Sequence, residues 1–291
     1  MKGVVLVDKP EGITSFDVVH QMRRLYQTKQ VGHTGTLDPM ATGLLPICIG
    51  KATKIADYIA DNRKAYVARA VKGIRTDTFD TTGVVFAKSE IEIPEDPEPI
   101  LDLFRGEQMQ LPPMHSALKY KGRKLYEYAR RGICVPRKER PINVSSLIIL
   151  ERNDDGLTLK AEVSSGTYIR TLIDDIGVAM GSFLTMDSLR RISVGDEKVE
   201  DAHSLDEIEA MDDDERQSIL IPMDRLLDHV PAIHLPGHRK KPMLNGMSSR
   251  IHFQVDEASL YRIYAGGDFI GIGTLEGNGE KRELYIKKVL Y

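Results

Sequence analysis

The segment 143–166 constrains the fold most strongly, because its pattern is that of a β-hairpin. Two runs rich in Val, Leu, Ile and Thr flank the turn sequence Asp154-Asp155-Gly156. An Asp-Gly pair between two such runs is a strong hairpin signal. Shorter apolar or alternating runs at 3–10 and 64–73 predict two further strands. The chain is therefore expected to contain a sheet.

Three segments show the spacing of amphipathic helices instead. Residues 14–27 predict a helix with Thr14 or Ser15 as its N-cap. The apolar face of this helix is expected to contain Phe16, Val19, Met22 and Tyr26. Residues 51–61 and 167–181 repeat the pattern, and in 167–181 the apolar positions are Ile169, Leu172, Ile173, Ile176 and Met180.

The length and the proline positions predict two domains. The chain has 291 residues, and a typical domain has about 150. Pro231 and Pro236 mark the expected boundary, which gives units of 1–230 and 231–291. The second unit consists of short β-type runs separated by glycines, a pattern typical of a small barrel or sandwich.

Charge is segregated along the chain, although the net charge is only −3. Residues 111–141, called the basic segment below, contain nine Lys or Arg and two Glu, a net charge of +7. Residues 196–228, the acidic segment, contain thirteen acidic and three basic residues, a net charge of −10. The basic segment also contains Tyr120, Tyr126 and Tyr128. Basic residues interleaved with aromatic ones suit RNA, but a solvated helix face is an equal alternative.

Several functional classes lack their sequence signals. No apolar run approaches the ~20 residues of a membrane span, and the first residues do not form a signal peptide. Cys48 and Cys134 fit no disulfide or metal framework, so we expect a cytoplasmic protein. The sequence has no phosphate-binding P-loop, GxGxxG, HExxH or CxxC motif. We therefore expect neither a cofactor nor a metal.

The segment 31–46, "VGHTGTLDPMATGLLP", surrounds the single carboxylate Asp38 with glycines and prolines. Glycines at 32, 35 and 43 are expected to allow positive φ and close approach to a ligand. Spacing alone favours a simpler interpretation, in which Asp38 forms a turn or helix cap before Pro39. Taken singly, His33, Tyr66 and Arg170 are likewise typical of a turn, a packed strand and a surface ion pair.

Five segments in order resemble the bacterial tRNA pseudouridine-55 synthases, the TruB family. "LVDKPEGITS" is similar to the opening motif of the family, and "GHTGTLDPMATGLLPICIGKATK" to its catalytic motif. "KAYVARAVKGIRTDTFDTTG" resembles the motif that carries a tyrosine, and "GTYIRTLIDDIG" the one that carries an arginine. "LPPMHSALKYKGRKLYEYARRG" resembles an insertion that grips RNA, and the tail is similar to a PUA domain.

The resemblance implies a fold and a reaction. The fold is α+β, with a mixed, mainly antiparallel sheet flanked by helices and a small barrel-like PUA domain at the C-terminus. The reaction isomerises uridine 55 in the T loop of tRNA: the base leaves the ribose at N1, turns over and rejoins through C5. No electrons are gained, so no redox cofactor is needed. The implied partner is tRNA, contacted at the T loop and the acceptor end, and not DNA, a membrane or an obligatory protein. A monomer is expected.

The resemblance also assigns roles to single residues. Asp38 matches the catalytic aspartate and Arg170 the arginine that pairs with it, while Tyr66 matches the tyrosine that stacks on the target base. His33 matches the residue that fills the space of the flipped base, and Leu189 an apolar residue that closes the pocket. The remaining expected RNA contacts are Lys9, Tyr168, Lys119, Lys121, Arg123 and Lys124. Charge alone adds a hypothesis for the tail, with phosphate contacts at Arg239, Lys240 and Lys241.

Two other functions remain open at this point. The first is an RNA-binding or RNA-folding protein without catalysis, which the charge segregation and the tail suit equally well. The second is a guide-RNA-dependent relative of the dyskerin type, which needs protein partners and usually carries extended tails. The first motif begins at Leu6, five residues into the chain, and the chain shows no basic tail, so the stand-alone enzyme is preferred.

Overall fold

A computed structural model describes residues 2–60, 63–255, 257–277 and 282–291. The strands are β1 Gly3–Lys9, β2 Val31–His33, β3 Thr42–Ile49, β4 Lys64–Lys72, β5 Ile74–Thr76, β6 Val85–Lys88, β7 Gly106–Gln110, β8 Lys119–Tyr120, β9 Arg123–Lys124, β10 Arg140–Asn153, β11 Gly156–Val163, β12 Leu184–Val194, β13 Glu197–Lys198, β14 Ala232–Leu235, β15 Ser249–Ile251, β16 Tyr261–Ala265, β17 Asp268–Glu276 and β18 Arg282–Val289. The α-helices are α1 Ser15–Leu25, α2 Ala56–Ala60, α3 Glu98–Asp102, α4 Leu125–Ala129, α5 Ile169–Met180, α6 Leu205–Ala210, α7 Asp213–Ser218 and α8 Lys240–Leu244.

One large sheet connects most strands of the first 200 residues, in the order β1-β3-β12-β4-β11-β10-β7. The β3–β12 pair is parallel, and the other pairs along this order are antiparallel. The expected mixed, mainly antiparallel sheet is therefore confirmed, as is the hairpin of β10 and β11. Val5 and Val7 of β1 contact one core while Val4 and Leu6 contact others. Burial on both faces explains the unbroken apolar run at the start of the chain.

Helices α1 and α5 pack on the same core of the sheet. The predicted apolar positions of α5 are all buried, and Thr14 caps α1 in a reciprocal pair with Asp17. One part of the α1 prediction is wrong: the Phe16 side chain is 56% exposed and packs edge-on against His20. Val18 and Leu25 complete the buried face instead. Among the described helices, none is long and apolar enough to span a bilayer.

Two segments near the catalytic motif differ from the sequence-based expectation. The helix predicted for 51–61 begins as a 3-10 turn, Gly50–Ile55, before α2; Asp61 lies outside the described residues. Strand β3 runs through Pro46, although a proline is unusual in a central strand. In the structure Pro46 pairs with Leu6 of β1, and its carbonyl accepts a hydrogen bond from the Thr34 N–H at 3.2 Å.

The tail forms a second sheet in the order β14-β16-β17-β18-β15, which confirms its β-rich character. Its strands do not stand apart from the first unit. Ile272 and Leu290 of the tail share one buried core with Val4 of β1 and Ile55. The two units therefore contact each other through apolar side chains, and removing the tail would expose the surface of β1 and its neighbours.

Close strand packing explains one glycine of the catalytic motif. Gly43 has φ = +99°, and a Cβ built there would lie 2.3 Å from the Arg191 carbonyl oxygen. Gly43 therefore permits the parallel contact of β3 with β12. The expectation of positive φ is wrong for Gly32 and Gly35, since neither is among the positive-φ glycines of the described chain. At Gly43 the group that approaches closely is the backbone of strand β12.

Replacing Gly43 by Ala is expected to destabilise the protein by about 2–5 kcal/mol, from the left-handed backbone plus the clash with β12. Urea unfolding measures the change. Gly12→Ala is the matched control, since Gly12 has φ = +87° but no described heavy atom within 4 Å of the added Cβ. It should cost only about 1–2 kcal/mol. Equal losses in the two variants would show that the β12 contact is unimportant.

Candidate active site

Asp38 lies in the loop that connects β2 and β3. The loop is held to α1 through Ser15, whose hydroxyl donates to the Leu37 carbonyl at 3.0 Å and accepts from the Leu37 N–H at 2.8 Å. The Asp38 side chain is 38% exposed, so its carboxylate is open to a ligand. Asp38 does begin a turn, since its carbonyl accepts the Ala41 N–H at 3.0 Å. No N–H of the described backbone donates to its carboxylate, however, so the side chain is not used as a cap.

Arg170 is the charged partner of Asp38. Its Nη2 lies 3.0 Å from Asp38 Oδ2 and also donates to the His115 carbonyl at 2.9 Å. Its Nη1 donates to the Thr78 carbonyl at 2.8 Å. The arginine side chain is only 7% exposed, so the predicted ion pair is present and is buried on one side. Because these acceptors engage both terminal nitrogens, the guanidinium is fixed in orientation.

A second carboxylate on Arg170 was missed by sequence reasoning. Asp80 Oδ2 lies 3.1 Å from Arg170 Nη1, and Asp80 is 4% exposed. Its Oδ1 accepts hydrogen bonds from the Thr78 hydroxyl at 2.7 Å and from the Thr82 N–H at 3.1 Å. The signal was the threonine-rich sequence "TDTFDTT", in which short hydroxyl side chains surround one Asp. A buried carboxylate needs such donors as well as a cation.

Helix α5 is locked in place one turn after Arg170. Asp174 accepts a bidentate pair of hydrogen bonds from Arg75 of β5, at 2.8 Å and 2.7 Å. The Asp174 side chain is 3% exposed, and residues four apart lie on the same face of a helix. The Arg75–Asp174 pair therefore fixes the rotation of α5 that directs Arg170 toward Asp38.

Tyr66 and Leu189 lie on neighbouring strands beneath the loop. Tyr66 of β4 pairs with Arg191 of β12, and Leu189 pairs with Ala68. Residues paired in this way project their side chains on one face of the sheet. Both Tyr66 and Leu189 are 7% exposed and belong to the main core. In the described chain the Tyr66 hydroxyl has no hydrogen-bond partner, which leaves it available to a ligand.

His33 ends strand β2 five residues before Asp38, and Tyr168 directly precedes the helix that carries Arg170. His33 is half-buried at the end of β2, and its Nδ1 has no partner among the described groups. Burial and the nearby Arg191 cation lower the His33 pKa, so the imidazole is neutral at pH 7. Tyr168 is the N-cap residue of α5, and its backbone forms two hydrogen bonds with the Gln110 side chain. Burial raises the Tyr168 pKa, and Asp38 adds to this effect.

Comparison with known proteins assigns the family. Residues 23–169 match the model for the N-terminal domain of TruB family pseudouridylate synthases, and residues 170–228 match the C-terminal domain of tRNA pseudouridylate synthase B. The tRNA pseudouridine synthase B of Marinomonas sp. (strain MWYL1) is 40% identical over 94% of this chain and 92% of its own. The chain belongs to the TruB family.

A second TruB relative agrees with this assignment, and solved structures show the fold. The tRNA pseudouridine synthase B of Clostridium kluyveri is 42% identical over 94% of this chain and 95% of its own. An archaeal box H/ACA sRNP Nop10-Cbf5 complex contains a chain with a TM-score of 0.75 at 23% identity, covering 99% of this chain and 86% of that one. A chain in an H/ACA RNP bound to a substrate RNA containing 2'-deoxyuridine has a TM-score of 0.73 at 22% identity, covering 99% of this chain and 85% of that one. At such identity the likeness shows the fold, and the expected pseudouridine-synthase fold is confirmed.

Lys9 of the TruB opening motif is buried and not exposed at the surface. Its Nζ donates to the carbonyls of Pro10 at 2.8 Å, Ile13 at 2.7 Å and Pro39 at 3.3 Å. Burial lowers the Lys9 pKa to about 8, although the Asp38 carboxylate opposes the shift. These contacts hold the residue that follows Asp38. A direct RNA contact of Lys9 stays a prediction.

The basic segment of this TruB chain contains a small hairpin and a short helix. Strands β8 and β9 meet at Lys121 and Gly122, which have φ of +47° and +83°, as a type I′ turn requires. Tyr120 packs edge-on against Tyr128 of α4, with ring centroids 6.0 Å apart. Within the described chain, none of the nine Lys or Arg of the segment is ion-paired with a carboxylate. Their charge is therefore free to attract a polyanion.

The three basic residues suggested for the TruB tail differ in accessibility. Arg239 is half-buried, and its Nε donates to the Ser249 hydroxyl at 3.1 Å. Lys240 forms an ion pair with Asp268, and its Nζ lies 3.7 Å from the centre of the Tyr291 ring. Lys241 is exposed. Phosphate binding by this group stays a prediction, and the geometry favours Lys241. Among the described residues, no group of three or more His, Cys, Asp or Glu is arranged to hold a metal ion.

Proposed function

We propose that the chain converts uridine 55 in the T loop of tRNA to pseudouridine, with Asp38 as the nucleophile. Its membership of the TruB family makes it an isomerase that acts on uridine in tRNA. The finer assignment is supported by one observation above all: a half-open carboxylate, Asp38, is held by a buried Arg170. A carboxylate in that position can attack the sugar carbon or stabilise its developing positive charge.

The isomerisation needs no electrons from outside. The N1–C1′ bond of the uridine breaks, the base turns over, a C5–C1′ bond forms, and the C5 proton is lost as N1 gains one. We assign Arg170 the task of keeping Asp38 ionised and oriented. Tyr66 stacks on the base, and its hydroxyl helps to remove the C5 proton. Leu189, on the same face of the sheet, closes the pocket around the base.

The target base must leave its folded loop before it can react. Flipping a base costs a few kcal/mol, and a residue that fills the vacated space lowers this cost. We assign this role to His33, because a neutral, flat imidazole can pack between bases without carrying charge among them. Its half-buried position beside the Asp38 loop supports the assignment.

The tRNA is held by the basic segment and by the tail. Lys119, Lys121 and Arg123 are exposed, and Lys124 is partly exposed. His115 of the basic segment accepts a hydrogen bond from Arg170. A tRNA stem bound to the basic segment is therefore expected to lie close to Asp38. We divide the chain into a catalytic unit, 1–230, and a PUA-like unit, 231–291, which contacts the acceptor end. We infer that a monomer acts in the cytoplasm, where its substrate is, without an obligatory protein partner.

The decisive experiment maps pseudouridine at single-nucleotide resolution after incubating the purified protein with an unmodified tRNA transcript. We expect modification of uridine 55 alone, and none in a transcript that carries cytidine there. Binding without any pseudouridine would favour the non-catalytic RNA-binding protein. Activity that appears only after a guide RNA and partner proteins are added would favour the dyskerin type.

Neutralising Lys119, Lys121, Arg123 and Lys124 together is expected to weaken tRNA binding and to flatten its salt dependence. Each lost phosphate contact reduces the slope of log K against log salt by about 0.9, so four contacts reduce it by about 3–4. Filter binding across a salt series measures the slope. A control variant loses the same charge at four exposed lysines elsewhere, Lys29, Lys54, Lys88 and Lys198. Equal slopes in the two variants would contradict a grip by the basic segment.

A further inference from the structure

Arg191 is a buried cation that has no role in the motifs or in the reaction described above. It is 1% exposed and is among the largest fully buried side chains of the described protein. Its Nε donates to the Leu44 carbonyl at 2.6 Å, and its Nη2 donates to the Gly35 carbonyl at 3.1 Å. Leu44 lies in strand β3 and Gly35 lies in the loop between His33 and Asp38. One guanidinium thus bridges the strand and the loop.

The environment of Arg191 is costly for a charge. No carboxylate of the described residues lies within ion-pair distance of it, and burying an unpaired cation is unfavourable. An apolar side chain would fill the same volume without that cost. What an apolar side chain cannot do is donate hydrogen bonds to two carbonyls that point into the protein. The chemistry of the position therefore calls for a forked donor.

The backbone of Arg191 lies at a junction of strands that carry the site. It pairs with Tyr66 of β4 on one side and with Gly43 of β3 on the other. The register of β12 against β4 shifts just after it, between Arg191 and Ser193. Strand pairing at this residue therefore sets the position of Tyr66, while its side chain sets the position of the loop.

We propose that Arg191 is a positioning residue for the isomerisation: by holding the Gly35 carbonyl it fixes the loop that presents His33 and Asp38 to the nucleotide. The proposal rests on the proposed function, which gives those two residues their roles. Arg191 does not touch the substrate. It acts through the loop, so its loss should misplace the carboxylate while leaving the RNA-binding surface unchanged.

The test compares Arg191→Lys with Arg190→Lys under single-turnover conditions at saturating enzyme. A lysine keeps the charge but cannot donate to both carbonyls in the same geometry. Misplacement of a catalytic group by about 1 Å costs about 100-fold in rate, so we expect a loss of about 10- to 100-fold for Arg191→Lys and unchanged tRNA affinity. Arg190 is the matched control, because it lies on the same strand and is paired with Asp8 at a partly exposed position.

A second measurement separates positioning from a general loss of structure. Arg191 contributes to the lowered pKa of His33, so Arg191→Met should raise that pKa in an NMR titration, whereas Arg191→Lys should not. Circular dichroism and urea unfolding establish that each variant is folded. A normal rate for Arg191→Lys, a rate loss shared by Arg190→Lys, or an unchanged His33 pKa in Arg191→Met would overturn the proposal. If the unaltered protein made no pseudouridine, the proposed function itself would fail.

Discussion

Asp38→Asn is expected to abolish pseudouridine formation while tRNA binding persists. The amide has nearly the shape of the carboxylate but cannot attack the sugar or offset positive charge on it. Loss of a covalent nucleophile costs about 10⁴-fold or more in rate. Single-turnover mapping of uridine 55 measures the rate, and filter binding measures the affinity.

The matched control for this prediction is Asp8→Asn, which changes another partly exposed aspartate in an ion pair with an arginine. It should leave the rate close to that of the unaltered protein. Substantial activity in Asp38→Asn would assign the chemistry to another group. Loss of tRNA binding in Asp38→Asn would instead make the carboxylate a binding residue.

Arg170→Met should both slow the reaction and destabilise the fold. Removing the donors that orient Asp38 lowers the rate by about 10²–10³-fold. Removing one partner of a buried ion pair lowers the free energy of unfolding by about 3–5 kcal/mol. The carboxylate left buried without a cation is Asp80, since Asp38 can still be hydrated. Urea unfolding and single-turnover assays measure the two effects on the same preparation.

Adding Asp80→Asn to Arg170→Met separates these effects. The double variant no longer buries an unpaired carboxylate, so it should regain about 1–3 kcal/mol relative to Arg170→Met. Its rate should stay low, because Asp38 still lacks its partner. Recovery of activity together with stability would mean that Arg170 serves the fold alone. No recovery of stability would mean that Asp80 is not the stranded charge.

The sequence predicted those elements whose structure depends on nearby residues alone. The hairpin of β10 and β11 depends on a turn sequence, and the buried face of α5 on spacing within one helix, so both were readable from the chain. The pairing of Asp38 with Arg170 was implied by the resemblance to the TruB family, because nothing local connects two residues so far apart in sequence. Only the hairpin and the helix face could therefore be predicted from the residues themselves.

The remaining features depend on what tertiary packing places nearby. Phe16 has the spacing of a core residue, yet α1 is rotated so that its ring lies at the surface. Asp80 resembles a turn residue until Arg170 is brought against it. Arg191 looks like a surface arginine, and only the pairing of β12 with both β3 and β4 shows why a forked donor is buried there. Gly32 and Gly35 could adopt positive φ because they lack a Cβ, but the structure does not place them in that conformation.

The segregation of charge along the chain gives the surface regions of opposite sign, although the net charge is small. At long range a net charge of −3 repels tRNA only weakly. At shorter range the unpaired cations of the basic segment attract the polyanion, while the acidic helices α6 and α7 reject it. An encounter that brings the acidic helices against tRNA is therefore expected to be shorter than one that brings the basic segment against it. The acidic segment is thus expected to influence how often tRNA meets the protein in a productive orientation.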